Sequence, residues 1–412
     1  MIAIIGLGYV GLPLAVAFAK HYKVFGFDIN SERISQLNNK IDVTNEIDFA
    51  DQKIKNLVFT NDLEELKKCN IYIITVPTPI DQYNQPDLTY LINATESIAR
   101  ILKRDDLVIY ESTVYPGCTD EICIPILEKN SHLKINDDFY CGYSPERINP
   151  GDKINTISKI IKVTSGSSKF AASLVDDLYS KIIDAGTHKA SSIKVAEASK
   201  AIENAQRDIN ISFINEVATI FDSLEINTYE VLEAASTKWN FLNFKPGLVG
   251  GHCISIDPYY LIYRSIKSGY TPQVIKSGRE VNENMPGLIY KKVKKIILNH
   301  DLPESSSVLI LGYSFKENCS DFRNTKVAKV SNYLGKHFLV DIHDPLIDLE
   351  EAKKNKSCNF ELRNEKYDII LLLVPHLLFN INYVMNFAHD KSIVFDFKNV
   401  LPKSNNIPIY TL

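Results

Sequence analysis

The stretch Ile2-Ala3-Ile4-Ile5-Gly6-Leu7-Gly8-Tyr9-Val10-Gly11-Leu12-Pro13 decides the architecture. Four apolar residues of strand character run into a G-x-G-x-x-G turn, and an early proline, Pro13, marks the helix that follows. Glycines at 6, 8 and 11 permit a tight turn and a close backbone approach, so a pyrophosphate can rest on the helix N-terminus. A second strand-like run, Val24–Phe27, ends in Asp28, twenty residues past Gly8, where an acid bonds ribose hydroxyls. Ile29 and Asn30 offer no cationic pocket for a 2′-phosphate, and Arg33 further on is expected to pack against the adenine. The expected cofactor is NAD rather than NADP.

Outward from this turn, strand-like runs at Ile71–Val76, Leu107–Glu111 and Phe139–Tyr143 alternate with helical segments such as Leu12–His21 and Thr89–Leu102. Such alternation predicts a mostly parallel sheet wrapped on both faces. The same register returns near residue 305, with Val308–Leu311, Gly312, a helix over Thr325–Leu334, and strands at Val340–His343, Ile369–Val374 and Ile393–Phe397. Between the two lies one long helix. Its apolar positions Val195, Ala198, Ile202, Ala205, Ile209, Phe213, Val217, Ile220 and Leu224 step by 3 or 4, and Ser191 and Ser192 can cap its start. Some thirty residues give a rod of about 45 Å, a length that bridges domains or forms a dimer seam. The fold class expected is α/β: two Rossmann-like, doubly wound domains joined by a central helical domain. The boundaries expected are 1–190 for NAD binding, 191–300 for the helical domain and 301–412 for the second nucleotide-binding domain, since 412 residues exceed one typical core.

Composition excludes several classes. A net charge of −4 with interspersed signs supplies no basic stripe for nucleic acid. No window approaches the ~18–20 apolar residues of a membrane span, and the N-terminus lacks the features of a signal peptide. The seven cysteines (69, 118, 123, 141, 253, 319, 358) are odd in number and form no C-x-x-C pair, which argues for a reducing cytoplasm and against a zinc site.

Gly250-Gly251-His252-Cys253 sets a thiol just after a close-packing turn, with Asp257 four residues on. A lone cysteine is more often a small core residue; the paired glycines and the nearby acid favour a nucleophile. On the long helix Lys200, Asn204 and Arg207 fall at i, i+4 and i+7, which reads either as a solvated stripe or as functional groups presented together. A mid-helix Asn is a poor helix former, and that favours the second reading.

Taken together these residues resemble the UDP-glucose/GDP-mannose dehydrogenase family, over nearly the whole chain. Gly6 to Pro13 is similar to its NAD loop, Glu111-Ser112-Thr113-Val114-Tyr115-Pro116-Gly117 to its catalytic-threonine loop, and Ser144-Pro145-Glu146-Arg147 to the segment bearing its catalytic glutamate. The spacing of Gly251, Cys253 and Asp257 is that of its nucleophile and partnering aspartate. Ser314-Phe315-Lys316 resembles its nucleotide-sugar contact, and Arg323 an arginine that reaches back to the NAD. The resemblance implies catalytic roles for Cys253, Lys200, Asn204, Asp257, Glu146 and Thr113. It implies NAD contacts from Tyr9, Val10, Pro77, Thr78, Ser112 and Thr113 besides the glycines, and sugar-nucleotide contacts from Glu146, Arg147, Lys200, Asn204, Arg207, Gly250, Phe315 and Lys316. It also implies a homodimer through the long helix, with the UDP-sugar as its small-molecule partner.

The stretches Glu203–Asn210 and Lys245–Tyr260 resemble the members that oxidise UDP-N-acetylhexosamines. The Phe-Pro-Lys-Asp that typically follows the cysteine in UDP-glucose dehydrogenases reads Ile254-Ser255-Ile256-Asp257 here. The expected activity is a four-electron oxidation of a sugar C6 hydroxymethyl to the carboxylate through a thioester on Cys253, supplying a surface-polysaccharide precursor. UDP-N-acetylglucosamine is the first choice of substrate, followed by the N-acetylgalactosamine, N-acetylmannosamine and glucose analogues. A two-electron hydroxyacid-type dehydrogenase and a catalytically silent nucleotide-sugar binder are the competing readings.

Overall fold

The computed structural model describes residues 1–44, 46–49, 55–148, 156–303, 305–404 and 407–412. The chain divides into two compact units, Met1–Glu203 with Tyr259–Thr271, and Asn204–Pro258 with Pro272–Leu412.

The first unit is built on β1 (Ile2–Ile5), α1 (Gly11–Ala19), β2 (Val24–Phe27), α2 (Ser31–Asn38), β3 (Leu57–Thr60), β4 (Ile71–Ile74), α3 (Thr89–Ala99), β5 (Leu107–Tyr110), α4 (Ile124–Ser131), β6 (Tyr140–Tyr143), β7 (Lys162–Gly166), α5 (Lys169–Tyr179) and β8 (Thr187–Lys189). Its sheet runs β3-β2-β1-β4-β5-β6-β7-β8. The first six strands are parallel and follow the order of a doubly wound dinucleotide fold; β7 then runs antiparallel to β6, pairing Tyr143 with Ser165. Both faces of the central strands are covered, which explains their unbroken apolar runs: β1, β2 and β5 are buried at every position. Ile2, Ile4, Leu12, Phe18, Ile73, Ile109 and Tyr179 lie in one core.

The long helix α6 (Ile193–Ser223) has 31 residues, and Ser192 Oγ accepts from Val195 N–H near its start. The unit boundary falls within it. Its apolar stripe is covered only in part, Ala205 being buried. Val195, Ile202, Phe213, Ile220 and Leu224 are 48–60% exposed, while Glu197, Lys200, Asp208, Ser212 and Asn215 are buried. Ile193, Ala196, Ala201, Ala205, Ile214 and Ala218 are buried beside them, and the enclosed polar groups have partners there. In the second unit, Asp208 meets Arg279 (2.5 Å) and Asn282 (2.7 Å), and Asn215 exchanges both amide hydrogen bonds with the backbone of Gly247 (2.9 and 3.0 Å).

The second unit also holds α7 (Thr228–Ser236), the start of α8 (Asp257–Lys267) and α9 (Gln273–Asn299). Its sheet is formed by β9 (Ser307–Leu311), β10 (Leu339–His343), β11 (Tyr367–Leu372), β12 (Ala388–Asp396) and β13 (Ile409–Tyr410), with α10 (Val327–Leu334) between β9 and β10. The strands are all parallel in the order β10-β9-β11-β12-β13, the other common doubly wound order, whose switch point lies between β9 and β11. The strand and helix positions read from the sequence recur with small shifts at their ends. The 27-residue α9, which carries Pro286, was not among them.

Candidate active site

The dinucleotide turn takes the form its glycines require. Gly6 has φ +94°, and a Cβ on Gly11 would stand 1.8 Å from the carbonyl of Gly6. Gly8 faces open space, and no side chain caps α1 at Val10. A helix N-terminus without a side-chain cap, beside an open glycine, suits a pyrophosphate. The carboxylate of Asp28 accepts from Leu7 N–H (2.9 Å) and Asn30 N–H (2.9 Å), which fixes it at the end of β2 beside the turn. Arg33 is buried, donating from Nε to Leu7 O (3.0 Å) and from Nη2 to Asp42 (2.9 Å), and its Nη1 has no partner among the described residues. It braces the turn from beneath.

Two further loops of the same unit leave the C-terminal ends of neighbouring strands. Past β4, Pro77 precedes Thr78, whose hydroxyl donates to Thr113 O (2.6 Å), and past β5 the Ser112 hydroxyl donates to Val76 O (2.6 Å). Tyr260 OH donates to Thr78 O (2.9 Å) and thereby holds the first loop. Past β6, Glu146 is buried, with its carboxylate accepting from Ile148 N–H and lying 3.9 Å from Lys200 Nζ. Arg147 is paired with Glu203 on α6. Lys200, which the sequence left between a solvated stripe and a functional group, is therefore an interior cation facing a carboxylate. The structure thus brings together Thr78, Ser112 and Thr113, and separately Glu146 and Lys200.

The second unit builds the thiol turn. Gly251 adopts φ +82°, and a Cβ there would stand 2.9 Å from the ring of Phe315; one on Gly250 would stand 2.7 Å from Asn324 O. Only glycine fits either position, and that is what seats the turn against Phe315. Cys253 follows, partly exposed as Cys358 also is, while Cys69, Cys118, Cys123, Cys141 and Cys319 are buried. Asp257 N–H donates to Cys253 O (2.8 Å), and the buried carboxylate of Asp257 accepts from the side-chain amide of Asn204. Arg207 is exposed on α6. Arg323 holds Asp321 through Nε (3.0 Å) and Nη2 (2.8 Å). His252 lies 3.6 Å from Asp321; burial, aided by Arg323, lowers its pKa against the pull of Asp321.

The crevice beyond β9 repeats the logic of the first. Gly312 has φ +86°, and Tyr313 N–H donates to Asp344 at the end of β10 (2.7 Å), as Leu7 N–H does to Asp28. Here the acid has more partners: Ser314 N–H (3.0 Å) and His376 Nε2 (3.0 Å). His376 Nδ1 accepts from Asn318 N–H (2.9 Å), so Nε2 carries the proton. Burial raises the Asp344 carboxyl, but hydrogen bonds from His376 and the two amides outweigh it and leave it below its ordinary value. Ser314, Phe315 and Lys316, whose Nζ lies over the Phe315 ring at 5.5 Å, are the loop this network holds. Sequence reasoning did not single out Asp344 or His376; an acid closing the second strand of each half was the available signal.

Two glycine-turn crevices and a partly exposed thiol beside a buried acid are the parts of an NAD-dependent oxidoreductase that acts on a nucleotide-linked substrate. The chain belongs to the UDP-glucose/GDP-mannose dehydrogenase family: residues 1–183 match its NAD binding domain, 194–284 its central domain and 309–403 its UDP binding domain. It is 52% identical over 409 residues to the UDP-N-acetyl-D-glucosamine 6-dehydrogenase of Salmonella typhi, covering 97% of this chain and 96% of that one. It is 50% identical to the Pseudomonas aeruginosa enzyme of the same name, covering 98% of each. Protein CapL of Staphylococcus aureus is also 50% identical, over 97% of this chain and 96% of that one. Among solved structures, the UDP-N-acetylmannosamine dehydrogenase of Pyrococcus horikoshii superposes with a TM-score of 0.89 at 29% identity, over 100% of this chain and 98% of that one.

Proposed function

We propose that this enzyme oxidises the C6 hydroxymethyl of UDP-N-acetylglucosamine to the carboxylate in the cytoplasm, supplying an acidic sugar nucleotide for surface polysaccharide. The observation that carries the reading is the partly exposed Cys253 on its Gly-Gly turn, one step from an Asp257 oriented by Asn204, in a chain half identical to two enzymes of that name. Alcohol to acid is a four-electron change. NAD, when bound, accepts a hydride at each of two oxidations.

In this reading the C6 alcohol first loses a hydride and a proton to give an aldehyde. The Cys253 thiolate adds to its carbonyl carbon, which prevents release of a reactive aldehyde, and the thiohemiacetal is then oxidised to a thioester. Lys200 and Asn204 stabilise the C6 oxygen as it gains negative charge. Water oriented by Thr113 and Asp257, and relieved of a proton by Glu146, attacks the thioester; the C–S bond breaks, leaving carboxylate and thiol. The division into an NAD part (1–190), a helical part carrying Lys200, Asn204 and Cys253 (191–300) and a UDP part (301–412) follows this allocation of tasks. Arg207, Phe315, Lys316 and Gly250 bind the sugar nucleotide, and Arg323 reaches the cofactor. Two chains associate through the exposed apolar stripe of α6.

NADH release measured with UDP-N-acetylglucosamine and its galacto, manno and glucose analogues tests the substrate. The gluco N-acetyl sugar should give the highest kcat/KM; a manno sugar or plain UDP-glucose turning over faster overturns the assignment.

A further inference from the structure

A buried cation outside the reaction scheme joins the two loops on which hydrolysis depends. Lys162 opens β7 and is almost wholly enclosed, as are Glu111 and Tyr179. Its Nζ donates to Glu111 Oε2 (2.6 Å) and to the carbonyl of Pro145 (3.0 Å), and lies 5.2 Å from the centre of the Tyr179 ring. The Tyr179 hydroxyl donates to the other oxygen of Glu111. Two donors of the ammonium and both oxygens of the carboxylate are thus engaged.

Covalent position makes this cluster more than a core feature. Glu111 stands two residues before Thr113, and Pro145 immediately precedes Glu146. A buried ion pair is weak evidence for stability, because well-packed apolar residues do as well or better; its specific contribution is one fixed geometry. We infer that Lys162 is a positioning residue that sets the Thr113 loop and the Glu146 loop in register for hydrolysis of the thioester. The inference rests on the proposed thioester route. It assigns Lys162 no contact with substrate or cofactor; the lysine acts through Glu111 and Pro145.

The consequence is selective. If the two loops are set for attack of water, loosening them slows cleavage of the C–S bond while leaving the two preceding oxidations intact. Stopped-flow NADH formation on wild type, Lys162→Met, Lys162→Arg and the near-isosteric Glu111→Gln reads this directly. Lys162→Met should retain a rapid burst of two NADH per active site, then turn over roughly 10–100-fold more slowly than wild type. Its kcat/KM for NAD should stay within a fewfold, with KM falling together with kcat, since both oxidations precede the slowed step. Lys162→Arg should recover part of the lost rate, and Glu111→Gln should share the burst-then-slow pattern. Intact-mass analysis of quenched Lys162→Met should find the acyl adduct on Cys253. Steady-state rates of the two Lys162 variants equal to wild type, or loss of burst and NAD affinity together in all three variants, overturns the inference. Failure of the thioester route itself appears separately, as a Cys253→Ala enzyme forming uronate at the wild-type rate.

Discussion

Cys253 owes its accessibility to the residue two before it. The positive φ of Gly251 and the Phe315 ring 2.9 Å from its missing Cβ allow a turn that no other residue could make. Gly251→Ala should lower stability by about 1–3 kcal/mol and reduce kcat more than NAD affinity, checked by urea denaturation and initial rates. Unchanged stability would mean that the ring moves aside freely. Glu197 is the other residue with a measurable signature. Buried on α6, it accepts from Gly117 N–H (2.5 Å) and Thr119 N–H (2.9 Å); burial pushes its carboxyl up to about 7, opposed by those amides. Below pH 4.5, the ordinary value for this side chain, it is protonated folded and unfolded alike. Between there and pH 7 the unfolded chain gives up the proton first, so stability falls through that window, by about 3 kcal/mol at most, and levels off above it. Unfolding free energies of wild type and Glu197→Gln between pH 5 and 8 should diverge accordingly; parallel curves would contradict the raised value.

Among the elements, α6 buries polar and small apolar residues together and leaves larger apolar ones outside. Its apolar positions were legible, but a stripe of Val, Ile, Phe and Leu on a helix says only that something covers it. Polar residues share the buried side because Asp208, Asn215 and Lys200 have partners far away in sequence, which no local pattern reveals. The outward residues are the ones through which two chains are proposed to associate. On that proposal wild type should sediment as a dimer and Phe213→Glu as a monomer at equal concentration; a monomeric wild type or an unchanged mass for the variant would exclude this face. The parallel strands were legible because burial on both faces leaves them uniformly apolar. α9 was hidden by Pro286-Gly287, a pair that reads as a breaker; burial of Met285, Ile289 and Val293 outweighs the lost hydrogen bond. Lys162 and Glu111 escaped for a related reason: they are 51 residues apart, and only sheet order brings them together.

For the whole molecule, the two halves share a device: a glycine of positive φ after the first strand, and an acid at the end of the next strand that takes the following N–H. Their acids differ in saturation, Asp344 being further occupied by His376 and Ser314 N–H. One scaffold used twice accounts for an enzyme that needs one nucleotide as oxidant and another as handle. The central claim is that a single thiol carries the sugar between two oxidations. The most direct measurement is NADH formed per UDP-N-acetylglucosamine consumed, for wild type and Cys253→Ala, with the uronate quantified. The account predicts two NADH and one uronate per sugar for wild type, and uronate formation slowed by roughly 10³-fold or more in the variant. One NADH per sugar, or a variant that makes uronate at the wild-type rate, would contradict it.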